Sequence, residues 1–510
     1  MANRAQALVA HAAREPGRTA VVYEGREITF GELADRVYAA AGALAARGVE
    51  QGSRVGLMMP AQPEFIVLQY ALFTLGAVFA PLNILYRPAE VAHVVDCCEL
   101  DYLILADHLA DRRPPEGIGN TPSLSAVLPA GELLDVASGA APVRTLASVA
   151  PQDTAMLLQT SATTGKSKGV VLTAANLAAN YDRTPGWLGI GREDVIICAL
   201  PLYNTFGLNQ CINAMMFTGA RLVILPKFDA ARVIETVAQQ GGTFMPAVPT
   251  MLQKIVDEPS LRAGQLASLR RIMTGGAPVP AALLGRVLAV TAADAKVLTG
   301  YGLTEASALV TLTEVNLGAD GQLANGNTIG KVLDGMELAV VDQNGATLPA
   351  GASGEFIVRG PNLMAGYHRA PEDTAAALRG GWLHTGDIGY IAEDGYAYIV
   401  DRKKDVIIRG GQNIYPAEIE EAIYRVPGVA EVAVVGEPDD MLGEVAVAWV
   451  APAQGVVLDP ADLSARCRED LATFKQPAAF HIVAELPKGP TGKILRRALR
   501  GADPATGRPA

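Results

Sequence analysis

The chain is poor in cysteine, has no excess of positive charge and carries no long apolar run. Five cysteines stand among 510 residues, at Cys97, Cys98, Cys198, Cys211 and Cys467. That odd number, with no metal-ligand spacing between any pair, gives no disulfide framework and fits a reducing, cytosolic setting. The formal net charge of -11 argues against a nucleic-acid-binding surface, which needs a basic stripe. It leaves room for anionic ligands held by local donors. The N-terminus MANRAQALVAHAAREPG lacks the apolar core of a signal peptide. The most apolar stretch, residues 71–86, is interrupted by Gly76 and Pro81 and is too short to span a bilayer. It reads as a buried helix followed by a strand. There is no internal repeat.

What is present is apolar material for large cores. Hydrophobic residues make up 50% and charged residues 19% of the chain, values of a globular chain long enough for two to four domains. Thr29-Phe30-Gly31-Glu32 has the form of a capping box, and Leu33, Val37, Ala41 and Leu44 follow at helical spacing. Residues 54–58 read as a buried strand, 64–75 as a helix and 76–81 as a strand again. Such alternation continues for several hundred residues and predicts layered α/β structure. Residues 106–150, rich in Pro, Gly and Ser, read as a surface excursion. From Thr328 to about residue 400 short strands separated by Gly-rich turns predict a β-rich subdomain. After the charge run 401–405 comes a small block of mixed helices and strands. The expected division is therefore an N-terminal region, 1–403, with a mobile α+β domain, 404–500, and a disordered tail, 501–510.

Five segments carry chemistry. Residues 160–169, Thr-Ser-Ala-Thr-Thr-Gly-Lys-Ser-Lys-Gly, follow an apolar strand at 155–158. Small hydroxyl residues, Gly and Lys after a strand suit a loop that wraps phosphates. A polar turn is the plain alternative. A P-loop is rejected, because Thr160 stands where that motif requires Gly. The second segment, Gly300-Tyr301-Gly302-Leu303-Thr304-Glu305, offers glycines for close approach, a flat aromatic face, and oxygen ligands of the kind Mg²⁺ takes. In the third, Gly381 to Asp387, the carboxylate of Asp387 is suited to ribose hydroxyls, and taken alone it reads as a plain turn aspartate. The fourth runs from Asp401 to Pro416, and the fifth, Pro490-Thr491-Gly492-Lys493-Ile494, sets a lysine in a loop near the C-terminus.

In this order and spacing, over roughly residues 15–500, the five segments resemble the adenylate-forming superfamily of acyl-CoA ligases, aryl-CoA ligases, luciferases and adenylation domains. The resemblance implies ATP, Mg²⁺ and coenzyme A as cofactors and a small-molecule carboxylic acid as substrate. Thr160, Ser161, Thr163, Thr164, Gly165 and Lys168 would handle the ATP phosphates. Gly276, Ala277 and Pro278 would line the adenine and Tyr301 would stack on it. Thr304 would touch phosphate and Glu305 would hold Mg²⁺. Asp387 and Arg402 would grip ribose. Lys493 would reach the carboxylate and the α-phosphate. Lys404 would be the hinge of the small domain. Arg409, Gly410 and Gly411 would face the site for thioester formation, and Lys475 would help hold coenzyme A. Tyr203, Asn204, Phe206, Gly207, Val248, Gly300 and Ser307 would contribute to the acid pocket. None of them is charged, which points to a neutral acyl tail.

Two departures from the family pattern stand out. The family usually has Gly where Ala162 stands and often His where Asn204 stands. Both lie where ATP and the carboxylate would meet, so they are expected to weaken adenylation relative to thiolation. They also keep open a thiolation-only enzyme that takes a ready-made acyl-adenylate. A non-catalytic nucleotide-binding homologue is disfavoured, since Glu305 and Lys493 are both present.

Overall fold

Strand and helix alternate, and at several boundaries the sequence supplies the punctuation. Thr29 caps the helix Phe30–Ala45 with the full reciprocal box: its hydroxyl accepts from the Glu32 amide at 3.2 Å, and the Glu32 carboxylate accepts from the Thr29 amide at 2.8 Å. The helix Pro63–Leu75 starts on Pro at its first position and ends on Gly76 in the left-handed region, φ 68°. It is apolar all round, and eleven of its thirteen residues are buried, as expected of a helix covered on every side.

The computed structural model describes residues 3–114, 124–135, 139–160, 167–275, 279–402, 405–409, 412–439, 441–453, 455–488 and 494–503. These form two compact units: Met1–Leu338 with Val358–Leu383, and Ala339–Ile357 with His384–Ala510. The chain passes between the units inside the strands Glu337–Val341, Gly354–Arg359 and Trp382–Ile391.

The first unit holds two large sheets. A seven-stranded one has the order Gly366–Tyr367, Gly169–Thr173, Thr154–Gln159, Val78–Pro81, Arg54–Met58, Tyr102–Leu105, Ala126–Pro129. A nine-stranded one runs from Lys331–Val332 through Thr311–Val315, Lys296–Thr299 and Arg271–Thr274 to Thr19–Tyr23 and Arg26–Thr29 at its far edge. The helices Phe30–Ala45 and Pro63–Leu75 share one apolar core with residues of both sheets, among them Val55, Phe79, Ile196 and Leu222. The reading of 106–150 as surface excursion is corrected in part. Ala126–Pro129 pairs in parallel with Tyr102–Leu105 and forms the sheet's edge.

In the second unit, Trp382–Ile391 and Ala397–Arg402 form an antiparallel pair that sets Asp387 opposite Arg402. Beyond them, Gln412–Ile414, Ile407–Arg409, Gly443–Pro452 and Val429–Asp439 form a sheet, to which Ala479–Ile482 adds in parallel. The helices Pro416–Tyr424 and Pro460–Asp470 close one face over Ile419, Ile423, Val434 and Leu463. Both kinds of layer predicted from the sequence, α/β first and α+β last, are present. Among the described residues no helix is long and apolar enough to cross a membrane.

Candidate active site

The loop 160–169 springs from two adjacent antiparallel strands, Thr154–Gln159 and Gly169–Thr173, paired Gln159 to Gly169. Its neck is closed by backbone: the Thr160 amide donates to the Lys168 carbonyl at 3.1 Å, and the Lys168 amide donates to the Thr160 hydroxyl at 3.4 Å. The ammonium of Lys168 lies 2.5 Å from Asp373 and 5.1 Å from the centre of the Tyr367 ring. The Tyr367 hydroxyl donates to Glu305 at 2.9 Å. Burial, reinforced by the Glu305 charge, pushes the Tyr367 phenol far above its ordinary value, so it stays a donor across the working pH range. Thus Lys168, from the segment 160–169, and Glu305, from the Gly300 segment, contact one tyrosine, the first at its ring and the second at its hydroxyl.

The glycines of the second segment serve the chain itself. A Cβ on Gly300 would fall 2.4 Å from the Thr311 carbonyl oxygen, and one on Gly302 would fall 2.1 Å from that of Ala308. Only Gly permits this approach, and it folds residues 301–311 back on themselves, with the Val310 amide donating to the Tyr301 carbonyl at 2.8 Å. Tyr301 is buried in the shared core. Thr304 and Glu305 stand on the short 3-10 turn Thr304–Ala306. Two bonds dock the end of this turn on Asn362, whose amide donates to the Ala306 carbonyl at 2.9 Å and whose carbonyl accepts from the Ser307 hydroxyl at 2.7 Å. Ser307, expected in the acid pocket, is fully buried and committed to this bond.

Asn204 is the N-cap of the helix Thr205–Gly207, its side-chain oxygen accepting from the Gly207 amide at 3.0 Å. A His there would lack the carbonyl oxygen that does this, which gives the Asn204 departure a structural reason. Asn204→Ala is expected to cost about 1 kcal/mol of stability, read as a shift in denaturant midpoint. No shift would mean that the cap is idle. Gly207 cannot be enlarged, since its Cβ would lie 2.2 Å from the Pro201 carbonyl oxygen. Tyr203 is half-buried beside Tyr86, and burial pushes its phenol up to about 12. Phe206 packs on both large cores of the unit and Val248 on one of them.

From the same helical segment a buried polar chain leads to the Tyr301 hairpin. The Arg4 guanidinium contacts Asp182 and the Asn213 side-chain oxygen. Asn213 donates to Asn209 at 3.0 Å, and Asn209 donates to the Thr184 hydroxyl at 2.9 Å. Thr184 donates to the Asn180 carbonyl at 3.0 Å, and Asn180 donates to the Leu309 carbonyl at 2.7 Å. Asn209 and Asn213 lie on a π-helical stretch, Leu208–Asn213, a form that occurs mostly as a single-turn insertion and is frequent at functional sites.

In the second unit, Asp387 is buried and paired with Arg402, Nε to Oδ1 2.8 Å. The two residues expected on ribose therefore meet each other across the strand pair. Arg409 donates to the Phe474 carbonyl at 2.6 Å, while Lys475 pairs with Glu418 and lies 5.8 Å from the Phe474 ring centre. The two cations expected near coenzyme A are thereby gathered around Phe474. Ser161, Ala162, Thr163, Thr164, Gly165, Gly276, Ala277, Pro278, Lys404, Gly410, Gly411 and Lys493 lie outside the described residues. Tyr367, Asp373 and the Arg4–Asn180 chain were not singled out from the sequence. None stands in a motif, and Tyr367 reaches Glu305 across 62 positions.

Residues 8–368 match the family model described as AMP-binding enzyme, and residues 418–493 match that of the AMP-binding enzyme C-terminal domain. The chain is 36% identical over 502 residues to a 3-[(3aS,4S,7aS)-7a-methyl-1,5-dioxo-octahydro-1H-inden-4-yl]propanoyl:CoA ligase of Mycobacterium tuberculosis, covering 95% of this chain and 96% of that protein. It is likewise 36% identical to a feruloyl-CoA synthase of Amycolatopsis, over 96% of this chain and 97% of the other. Among solved structures, ATP-bound MatB from Rhodopseudomonas palustris superposes with a TM-score of 0.89 at 32% identity over 98% of both chains. The o-succinylbenzoate CoA synthetase of Bacillus subtilis, in complex with its acyl-adenylate intermediate, gives 0.87 at 29% identity over 99% of both.

Proposed function

We propose that this chain, which belongs to the AMP-binding enzyme family and is an AMP-forming acid–thiol ligase, activates a neutral carboxylic acid with ATP as the acyl-adenylate and passes the acyl group to coenzyme A. The observation that carries this reading is the meeting of Lys168, Tyr367 and Glu305. It joins the segment suited to phosphates to the carboxylate of Glu305, which is suited to Mg²⁺. A carboxylate attacking ATP brings anions together, and cations must offset that charge in the transition state. Among the described residues no group of three His, Cys, Asp or Glu could hold a metal ion. A lone carboxylate fits Mg²⁺, which is usually held by one or two carboxylates, waters and the substrate's own phosphates. Bound there by Glu305, Mg²⁺ would supply positive charge at the phosphates. Tyr367 holds one oxygen of the Glu305 carboxylate through its hydroxyl.

The uncharged side chains of Tyr203, Asn204, Phe206 and Val248 support an acid with a neutral tail. The ring-bearing acyl groups in the names of two relatives fit the same picture. Arg409 and Lys475, gathered at Phe474, are assigned to coenzyme A. Lys404 is assigned to the hinge that lets one site serve two reactions. The purified protein with ATP, Mg²⁺ and coenzyme A is expected to form AMP and acyl-CoA from monocarboxylic acids, and little from dicarboxylic acids of equal length. The opposite preference would contradict the neutral pocket.

Tyr367→Phe removes the hydrogen bond to Glu305 and keeps the ring. Loss of such a supporting bond is expected to raise the Mg²⁺ needed for half-maximal ATP–pyrophosphate exchange about tenfold. Thiolation of synthetic acyl-adenylate should be unchanged. An unaltered Mg²⁺ titration would remove Tyr367 from this role.

A further inference from the structure

Behind the neck of the phosphate loop lies a pair of adjacent thiols that the adenylation chemistry does not use. Cys97 is the last residue of the helix Pro88–Cys97, and Cys98 caps it at φ -100°, ψ -3°. Their sulfurs are 3.8 Å apart. Cys97 is the one cysteine of the five that is not buried, whereas Cys98 is fully buried. The Cys98 sulfur is pressed against the loop's base: a Cβ built on Gly169 would stand 2.9 Å from it. Gly169 is the register partner of Gln159, and these two residues are the feet on which the loop 160–169 stands. The same helix touches the loop's exit a second time, through the His93 ring, 2.9 Å from the Ser167 carbonyl oxygen.

We infer that Cys97 and Cys98 form a modification site for hydroperoxides, closing reversibly to a vicinal disulfide that displaces the neck of the phosphate loop and suppresses adenylation. The inference rests on the reading that residues 160–169 handle the ATP phosphates. The asymmetry of the pair suits the two steps. The contact with Cys98 lowers the Cys97 thiol below its ordinary range, while the same contact and burial push Cys98 well up. The less buried member is thus the readier thiolate, the form that reacts. Its sulfur attacks one peroxide oxygen and the O–O bond breaks. The products are a sulfenic acid at Cys97 and, with the proton given up by the thiol, one water. The Cys98 sulfur then attacks the Cys97 sulfur, the S–O bond breaks, and hydroxide leaves with the Cys98 proton as a second water. Two thiols are oxidised to one disulfide and one hydrogen peroxide is reduced to two waters.

Closing the bond moves the Cys98 sulfur, and Gly169 packs directly on it. Adjacent Cα atoms lie about 3.8 Å apart across a trans peptide, closer than the roughly 4.4 Å at which disulfides ordinarily begin. The product is therefore strained and easily reduced, as regulatory disulfides are.

The test treats the full-length protein with hydrogen peroxide, then divides each sample between peptide mapping and ATP–pyrophosphate exchange. Expected are a Cys97–Cys98 linkage, a fall in exchange of at least about tenfold, the order of loss caused by small displacements in a site, and recovery with dithiothreitol. Cys97→Ser should keep the untreated exchange rate and resist peroxide. A mapped product without the vicinal linkage, or equal inactivation of Cys97→Ser, overturns the inference. If untreated protein shows no exchange, the adenylation reading fails by itself, and mapping alone then decides whether the thiols close.

Discussion

Lys493→Ala is expected to lower ATP–pyrophosphate exchange by roughly 10²-fold or more, the usual result of removing one transition-state donor, while synthetic acyl-adenylate is still converted to the thioester at close to the normal rate. The expectation starts from charge. Adenylation joins a carboxylate to a polyanion, whereas thiolation expels AMP from an adenylate already formed. An ammonium at the α-phosphate, the role proposed for Lys493, would therefore matter to the first reaction and little to the second. The residues that bracket Lys493 are firmly tied. Lys488 pairs with Ile494, and the Leu495 amide donates to the Pro487 carbonyl at 2.8 Å. Just beyond, Arg496 grips Glu420 with two bonds from one nitrogen, at 2.8 and 2.7 Å, and lies 3.8 Å from Asp405. Removing the ammonium leaves these ties in place, so the loss should be confined to one half-reaction. Equal losses in both would sink the assignment.

Arg4→Leu is expected to destabilise the first unit by about 3 kcal/mol, as loss of one partner from a buried ion pair does. The side chains of Arg4 and Asp182 are 7% and 12% exposed, so little water is at hand to replace the guanidinium. The same change strips a donor from Asn213, at the head of the chain that ends on the Leu309 carbonyl. Arg4→Leu/Asp182→Leu should recover part of the loss, because the stranded charge leaves with its partner. The onset of denaturant unfolding measures both variants. A loss below about 0.5 kcal/mol, the scale of an exposed pair, would show that this network does not hold the fold.

How far the sequence could be read depended on whether a signal was local. The Thr29–Glu32 box and the Pro63–Leu75 helix declare themselves within one or two turns, and both formed where they were expected. Ala126–Pro129 did not declare itself. Four residues in a Pro-, Gly- and Ser-rich stretch become a strand only because Tyr102–Leu105 offers an open parallel edge. The site divides in the same way. Gly300 to Glu305 is recognisable as a run, and the structure adds a reason for its glycines that the sequence did not offer: they admit the returning chain at Ala308 and Thr311. Tyr367 could not be picked out, because its role exists only where a two-residue strand lies beside Gly169–Thr173. The Asn204 departure reads in the sequence only as an amide where the family often has His; that it caps the helix Thr205–Gly207 is visible only in the structure. Much of the phosphate loop, and Lys493 itself, rests on motif and resemblance, since those residues lie outside the described ones.

ATP–pyrophosphate exchange without coenzyme A, run across a panel of carboxylic acids, tests the central claim most directly. Exchange should depend on a monocarboxylic acid and on Mg²⁺, and adding coenzyme A should then yield AMP and the acyl thioester of that same acid. No exchange with any acid, alongside ready thiolation of synthetic acyl-adenylates, would contradict the account and leave a thiolation-only enzyme in its place.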